Sequence, residues 1–324
     1  MTPLPPNRTP VRASLHARLA SRVCAYLLQV AAAFTFVAPA AAEPLPPTPK
    51  HQLFYQNLTA ARLNPLGLQN MFELDWRHRL YDPGDSLIKS QNFWALSVNP
   101  ILTPGLMRLG VGAKIQPLAI LKLEVKWEYL NYFGNFDLVQ SYGDGGADFS
   151  DSALKDGGDA GLNYATDGWQ LTLDVEARAK VGPFVVRNRF KAAYLEVALK
   201  GGDELYYEQY FDLLLPKAGW FFTNDLDALV FVNKHLIVGA RWAFMDVAYP
   251  DAALVDANAK KNAPTHRLGP LIAYTFFDDP GASFNKPTIL LLVNWYLKHR
   301  WRTGEDVSQA LPYFVLGFAF SGDL

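Results

Sequence analysis

Asp225-Leu226-Asp227 places two carboxylates on one face of a strand, an arrangement from which a hydrolase builds acid–base chemistry. Such a pair needs a partner, and the six histidines do not supply one. None of His16, His51, His78, His235, His266 or His299 follows an aspartate at Asp-x-His spacing. None precedes a serine at His-x-Ser spacing, where an imidazole activates a hydroxyl. No zinc-spaced histidine cluster, P-loop or Gly-x-Ser-x-Gly elbow occurs. The stretch 134–167 is rich in Gly and Asp, with Asp144-Gly145-Gly146 and Asp156-Gly157-Gly158-Asp159, but lacks the spacing and closing glutamate of an EF-hand. It reads as a solvated, mobile loop. The expectation is therefore no catalytic residue, no metal and no cofactor, with Asp225 and Asp227 neutralising nearby arginines. A hydrolase with its site around these two aspartates stays open as the alternative.

The elements that carry these residues are strands. In Leu121-Lys122-Leu123-Glu124-Val125-Lys126-Trp127-Glu128-Tyr129 every odd position is apolar and every even position charged, which puts an apolar stripe on one face of a strand and four charges on the other. Comparable alternation predicts ten strands, near 70–81, 105–116, 119–133, 168–181, 184–199, 219–232, 234–248, 265–278, 286–301 and 312–322. Most exceed the usual soluble length of about 5–6 residues and match the 9–11 or so that a tilted bilayer crossing needs. Short joins at 116–118, 181–183, 233–234 and 278–281 alternate with longer segments at 82–104, 134–167, 200–218, 249–264 and 302–311. Stretches 91–101 and 203–215 also read as strand-like; they are expected as raised structure on the long-loop side, with a twelve-strand count as the alternative.

Residues 1–42 carry Arg8, Arg12, Arg18 and Arg22 and no acid, then an apolar run from Val23 to Val37, then Ala40-Ala41-Ala42. This predicts a signal peptide cleaved after Ala42. The cut removes Cys24, the only cysteine, so no disulfide is available to the exported chain. It also takes the formal charge from −1 to −5, leaving no basic excess to suggest nucleic acid. Residues 43–69, opening with Pro44-Leu45-Pro46-Pro47-Thr48-Pro49, read as a Pro-rich periplasmic segment before a single domain at 70–324.

The stripes assign faces strand by strand. Phe72, Leu74 and Trp76 face one way, against Glu73, Asp75, Arg77 and Arg79. Trp169, Leu171, Leu173 and Val175 oppose Gln170, Thr172, Asp174, Glu176, Arg178 and Lys180. Arg187, Arg189 and Lys191 share the charged face, and the pattern changes phase near Ala192-Ala193 as a bulge would produce. Trp242 and Phe244 oppose Arg241, while Ile289, Leu291, Val293 and Trp295 oppose Asn294, Lys298 and Arg300. Phe314, Leu316, Phe318 and Phe320 end the apolar series. Trp76, Trp127, Tyr129, Trp169, Trp220 and Trp301 fall toward strand ends, as interfacial girdles do.

Tyr313-Phe314-Val315-Leu316-Gly317-Phe318-Ala319-Phe320 resembles the closing strand of bacterial outer-membrane β-barrel proteins, although Ser321-Gly322-Asp323-Leu324 follows it. Across about 70–324 the chain resembles that class and no narrower family. The resemblance implies an all-β, transmembrane, antiparallel up-and-down barrel in the outer membrane of a Gram-negative bacterium. Its expected partners are outer-membrane lipid and, during insertion, the barrel-assembly machinery. The inward positions then hold fifteen cations: Arg77, Arg79, Arg108, Lys114, Lys122, Lys126, Arg178, Lys180, Arg187, Arg189, Lys191, Arg241, Arg267, Lys298 and Arg300. They hold eight carboxylates: Glu73, Asp75, Glu124, Glu128, Asp174, Glu176, Asp225 and Asp227. Compensating acid is expected in the loops, at Asp144, Asp148, Asp151, Asp156 and Asp159. A net-positive lumen predicts a narrow, porin-like pore for small anions; salt-bridged side chains filling it predict a closed structural or surface-interaction barrel.

Overall fold

The computed structural model describes residues 48–254, 256–304 and 311–324, so the expected signal peptide lies outside the described residues. Among the described residues there are fifteen strands: β1 (His51–Leu63), β2 (Gly67–His78), β3 (Phe93–Leu102), β4 (Leu106–Leu118), β5 (Leu121–Tyr132), β6 (Ser141–Tyr142), β7 (Thr166–Val181) and β8 (Phe184–Val197). They continue as β9 (Leu205–Glu208), β10 (Leu213–Pro216), β11 (Ala218–Phe231), β12 (Leu236–Val247), β13 (Thr265–Thr275), β14 (Asn285–Lys298) and β15 (Tyr313–Asp323). Twelve of them close an antiparallel barrel in the order β1-β15-β14-β13-β12-β11-β8-β7-β5-β4-β3-β2. The seam is β1 on β15, with Phe54 opposite Asp323 and Leu63 opposite Phe314.

The barrel thus has twelve strands, not ten. They are not the twelve of the sequence-based alternative either. The stretch 91–101 does enter the wall as β3, but 203–215 stays out of it. The missing strand is β1, inside the segment read as a periplasmic tether. Its alternation is blurred because Asn57 and Thr59 point outward while Phe54, Leu58 and Ala60 point in, sharing faces with their partners across β2 and β15. The outward amides are satisfied among themselves: Asn57 and Asn70 exchange side-chain hydrogen bonds, and Asn70 Nδ2 donates to Thr59 Oγ1 at 2.8 Å. β3 is obscured by Pro100, which lacks an N–H; the β2–β3 ladder lapses between Val98 and Ile101.

Connections 119–120, 182–183, 232–235 and 276–284 gather at one rim with both strand termini and the 79–92 segment. Residues 133–165, 198–217, 248–264 and 299–312 leave the other rim. Gly182 supplies a φ of +57° in the two-residue turn between Val181 and Phe184, a conformation costly for most other residues.

The outer face is apolar and open. Leu96, Val98, Val111, Val125, Trp295 and Leu316 are each about half exposed. On a water-soluble monomer an apolar belt of this extent is not tolerated; on a closed barrel it is the lipid-facing band. The anticipated bulge near Ala192-Ala193 is absent, since β8 pairs without a break with both β7 and β11. Ala193, Leu195 and Val197 keep the inward phase of Lys191. They are apolar because they pack against protein inside the barrel rather than water.

Candidate functional site: the lumen and its lid

The long-loop rim is covered. β6, β9 and β10 form a small separate sheet over it, joined by helix α1 (Asp151–Asp159) and the 3₁₀ turns Asp251–Leu254 and Ala257–Lys261. Ser150 caps α1, its hydroxyl accepting from the Ala153 N–H. Beneath the sheet, Tyr206, Leu213 and Leu215 pack into the barrel against Leu130, Tyr132, Leu195 and Phe221. Above it, Leu205, Tyr207 and Leu214 pack on Leu138, Phe149, Leu154 and Ala253. The stretch 134–167 is therefore folded rather than mobile, and 200–218 turns across the mouth instead of standing up from the rim.

Buried polar anchors tie this lid to the wall. Glu208 accepts from Tyr132 Oη at 2.5 Å and lies 3.5 Å from Arg108. Asp212 accepts from Arg302 Nε at 2.9 Å, Tyr207 Oη at 2.9 Å and Tyr296 Oη at 3.1 Å, and lies 3.4 Å from His299. Arg62, on the opposite wall, donates to the carbonyls of Tyr210 and Gln209 at 2.7 and 2.8 Å. Arg300 donates to the carbonyls of Gly145, Gly146 and Ala147, and Arg302 also pairs with Asp151. Burial would push the Asp212 carboxyl up, but His299 and the Arg302 guanidinium hold it below the usual carboxylate range. Burial pushes the His299 imidazole down, against the pull of Asp212. Glu208 and Asp212, which no pattern in the sequence singles out, are the carboxylates on which these anchors converge. Of the five loop aspartates expected to compensate the lumen, Asp151 reaches a buried arginine in this lid, Arg302.

Below the lid lies a cavity of about 1520 Å³ that reaches fewer than half of the expected lumenal charges. Arg187, Arg189, Lys191, Arg241, Lys126 and Asp225 line it. Carboxylates in this wall are shared between cations. Asp227 accepts from Arg187 Nη2 at 2.6 Å and Arg241 Nε at 2.7 Å. Asp174 takes Arg189 at 2.7 Å and Lys191 at 3.4 Å, and Glu176 takes Lys122 and Arg178, both at 3.7 Å. Lys180 lies over the Phe231 ring, 4.7 Å from its centroid. Exposure separates the partners: the side chains of Asp174 and Asp227 are 5% and 1% exposed, those of Arg189 and Arg187 39% and 37%. The acids sit against the wall and the cations face the space. Asp225, 3.4 Å from Arg241, is the carboxylate that stays open, at 37%. Across β2, β4 and β5 the balance reverses, with Lys114 serving Glu73, Asp75 and Glu124 together. Gly110 and Gly112 leave the room in which Lys126 and Glu128 lie.

The aromatic residues divide. Trp169, Tyr194 and Trp220 form an outward chain near the lidded rim, ring centroids 5.6 and 5.5 Å apart, with Tyr129 beside Trp169. Trp76 meets Trp94 at 5.5 Å toward the other rim. Trp127 sits midway along β5, between Val111 and Leu171. Trp301 is not on the lipid face at all: it packs in the lid, 5.8 Å from Phe149 and under Arg300.

No family model matches the chain, and no curated protein matches it in sequence. Among solved structures it is similar to the translocator domain of the autotransporter NalP from Neisseria meningitidis, at 9% identity over 97% of this chain and 98% of that one, TM-score 0.40. It is also similar to the NanC porin, at 10% identity over 83% and 100%, TM-score 0.38. A third is Omp33 of Acinetobacter baumannii, at 11% identity over 86% and 100%, TM-score 0.35. The architecture is that of an outer-membrane β-barrel. It rests on this chain's own closure, apolar outer band and charged interior, and the likenesses add nothing about function.

Proposed function

We propose that the chain is a narrow, lidded passage for small anions in the outer membrane of a Gram-negative bacterium, with the lid on the outer surface. The observation that carries this reading is the layering of charge in the lumen, where carboxylates lie at the wall and the arginines sharing them face a cavity of about 1520 Å³. A cavity lined in this way favours anions over cations. The strand Tyr313–Asp323 that closes the barrel is the segment that would be offered to the assembly machinery. A smaller cleft of about 260 Å³ between residues 65–66 and α1 shares Leu66, Phe136, Asp137, Leu138, Tyr207 and Gln209 with the cavity, and it is the entry route past the lid in this reading.

The test is selectivity in a planar bilayer under a salt gradient. Arg189→Gln together with Arg241→Gln should move the reversal potential toward zero while the heat-modifiable fold is kept. An unchanged potential would remove the arginines from the account. The buried lid supports a second reading, a closed barrel acting through its surface; that reading predicts a silent bilayer and effects confined to 134–167 and 200–218. A hydrolase finds little support around Asp225 and Asp227, because both face Arg241 and Asp227 is also held by Arg187.

A further inference from the structure

The lumen is two-sided. On strands β8 and β12 the cavity meets Arg187, Arg189, Lys191 and Arg241, with the carboxylate Asp225 of β11 between them. On β1, β13, β14 and β15 its middle layer is Leu58, Leu271, Leu290, Leu292 and Val315, all on the inward face by register: Leu271 pairs Leu292, Leu292 pairs Val315, and Leu58 pairs Ala319. Arg267 and Asn294 bound this layer toward the lid and Lys286 toward the other rim. The two halves stand at similar depth, since Arg189, Arg241, Leu271, Leu290 and Leu58 each lie near the middle of their strands. A lumen that passes hydrated inorganic ions alone gains nothing from an aliphatic wall, because water along it is held poorly and the wall offers such an ion no partner. Cationic and aliphatic walls that meet between β12 and β13 and enclose one cavity complement one kind of solute, an anionic head joined to a hydrocarbon body.

We propose that the lumen binds amphipathic monoanions, medium-chain carboxylates in particular, with the head on the Arg187–Arg189–Arg241 face and the chain against Leu58, Leu290 and Val315. This rests on the anion-passage reading and names its substrate class. Guanidinium groups already sharing a carboxylate keep N–H donors for a second one, and those of Arg187 and Arg189 are open to the cavity. Each methylene moved from water onto the aliphatic wall strengthens binding roughly fourfold when fully buried.

The experiment is calorimetric titration of the full barrel in lipid nanodiscs with acetate, octanoate and octylammonium, empty nanodiscs serving as the blank. Octanoate should bind saturably and roughly tenfold or more tighter than acetate, and octylammonium should not saturate. Leu290→Asn and Leu58→Asn should each weaken octanoate several-fold and leave acetate and the heat-modifiable fold unchanged. Octanoate no tighter than acetate, octylammonium binding as well as octanoate, or indifference to both leucine variants would each overturn the proposal. The anion-passage reading is judged separately, by reversal potential with chloride: selective conductance without octanoate preference removes only this inference, and octanoate binding to a silent barrel removes only the passage.

Discussion

At the residue scale the organising feature is the shared carboxylate. One acid between two cations keeps both side chains ordered while leaving a positive charge toward the cavity. Asp227 is the clearest case, being almost fully buried beneath Arg187 and Arg241. Asp227→Asn should cost on the order of 1–3 kcal/mol, because two guanidinium groups lose their ionised acceptor but keep access to water. Chemical denaturation in detergent measures that, and the same variant should become more anion-selective. The charged identities and their inward phase were legible in the sequence, since period-2 alternation assigns faces directly. Their pairing was not, because it depends on which strands are neighbours and which loops fold back.

At the element scale the lid is the feature that separates this barrel from an open tube. Arg62 holds its tip by two hydrogen bonds to carbonyls, so Arg62→Ala should release the 205–216 hairpin from the far wall. The expected outcomes are faster proteolysis within 198–217 and higher conductance. The Asp212–His299–Arg302 cluster makes the lid acid-sensitive. Both His299 and Asp212 resist protonation in the folded lid, so an unfolded lid takes up protons more readily. Stability is therefore complete above the ordinary histidine value of about 6.5, declines as pH falls below it, and declines again below about 4 as the released aspartate is protonated. Conductance that rises between about pH 7 and pH 5, and loses that rise in His299→Gln, is the expected result. Strands over 203–215 on the long-loop side were legible, but their fold into the mouth was not, because a plug strand such as Leu213–Pro216 is apolar on both faces and its alternation cannot say what it packs against.

At the scale of the whole molecule, closure through β1 decides the architecture. The ten strands with clean stripes were readable because lipid on one side and charge on the other enforce alternation. β1 escaped because its outward Asn57 and Thr59 are polar and satisfied by Asn70 of β2, while its inward face joins the aliphatic wall. Deleting 51–63 should abolish heat-modifiable barrel formation, whereas a ten-strand barrel beginning near 70 would survive the deletion; gel mobility before and after boiling distinguishes the two. The central claim is that this closed barrel passes anions along an arginine-faced lumen. Its most direct test is the reversal potential of the purified protein in a planar bilayer under a potassium chloride gradient. The account predicts small, steady conductance with the potential displaced toward the chloride equilibrium value. A potential displaced toward potassium, or no conductance from well-folded protein even after Arg62→Ala, would contradict it.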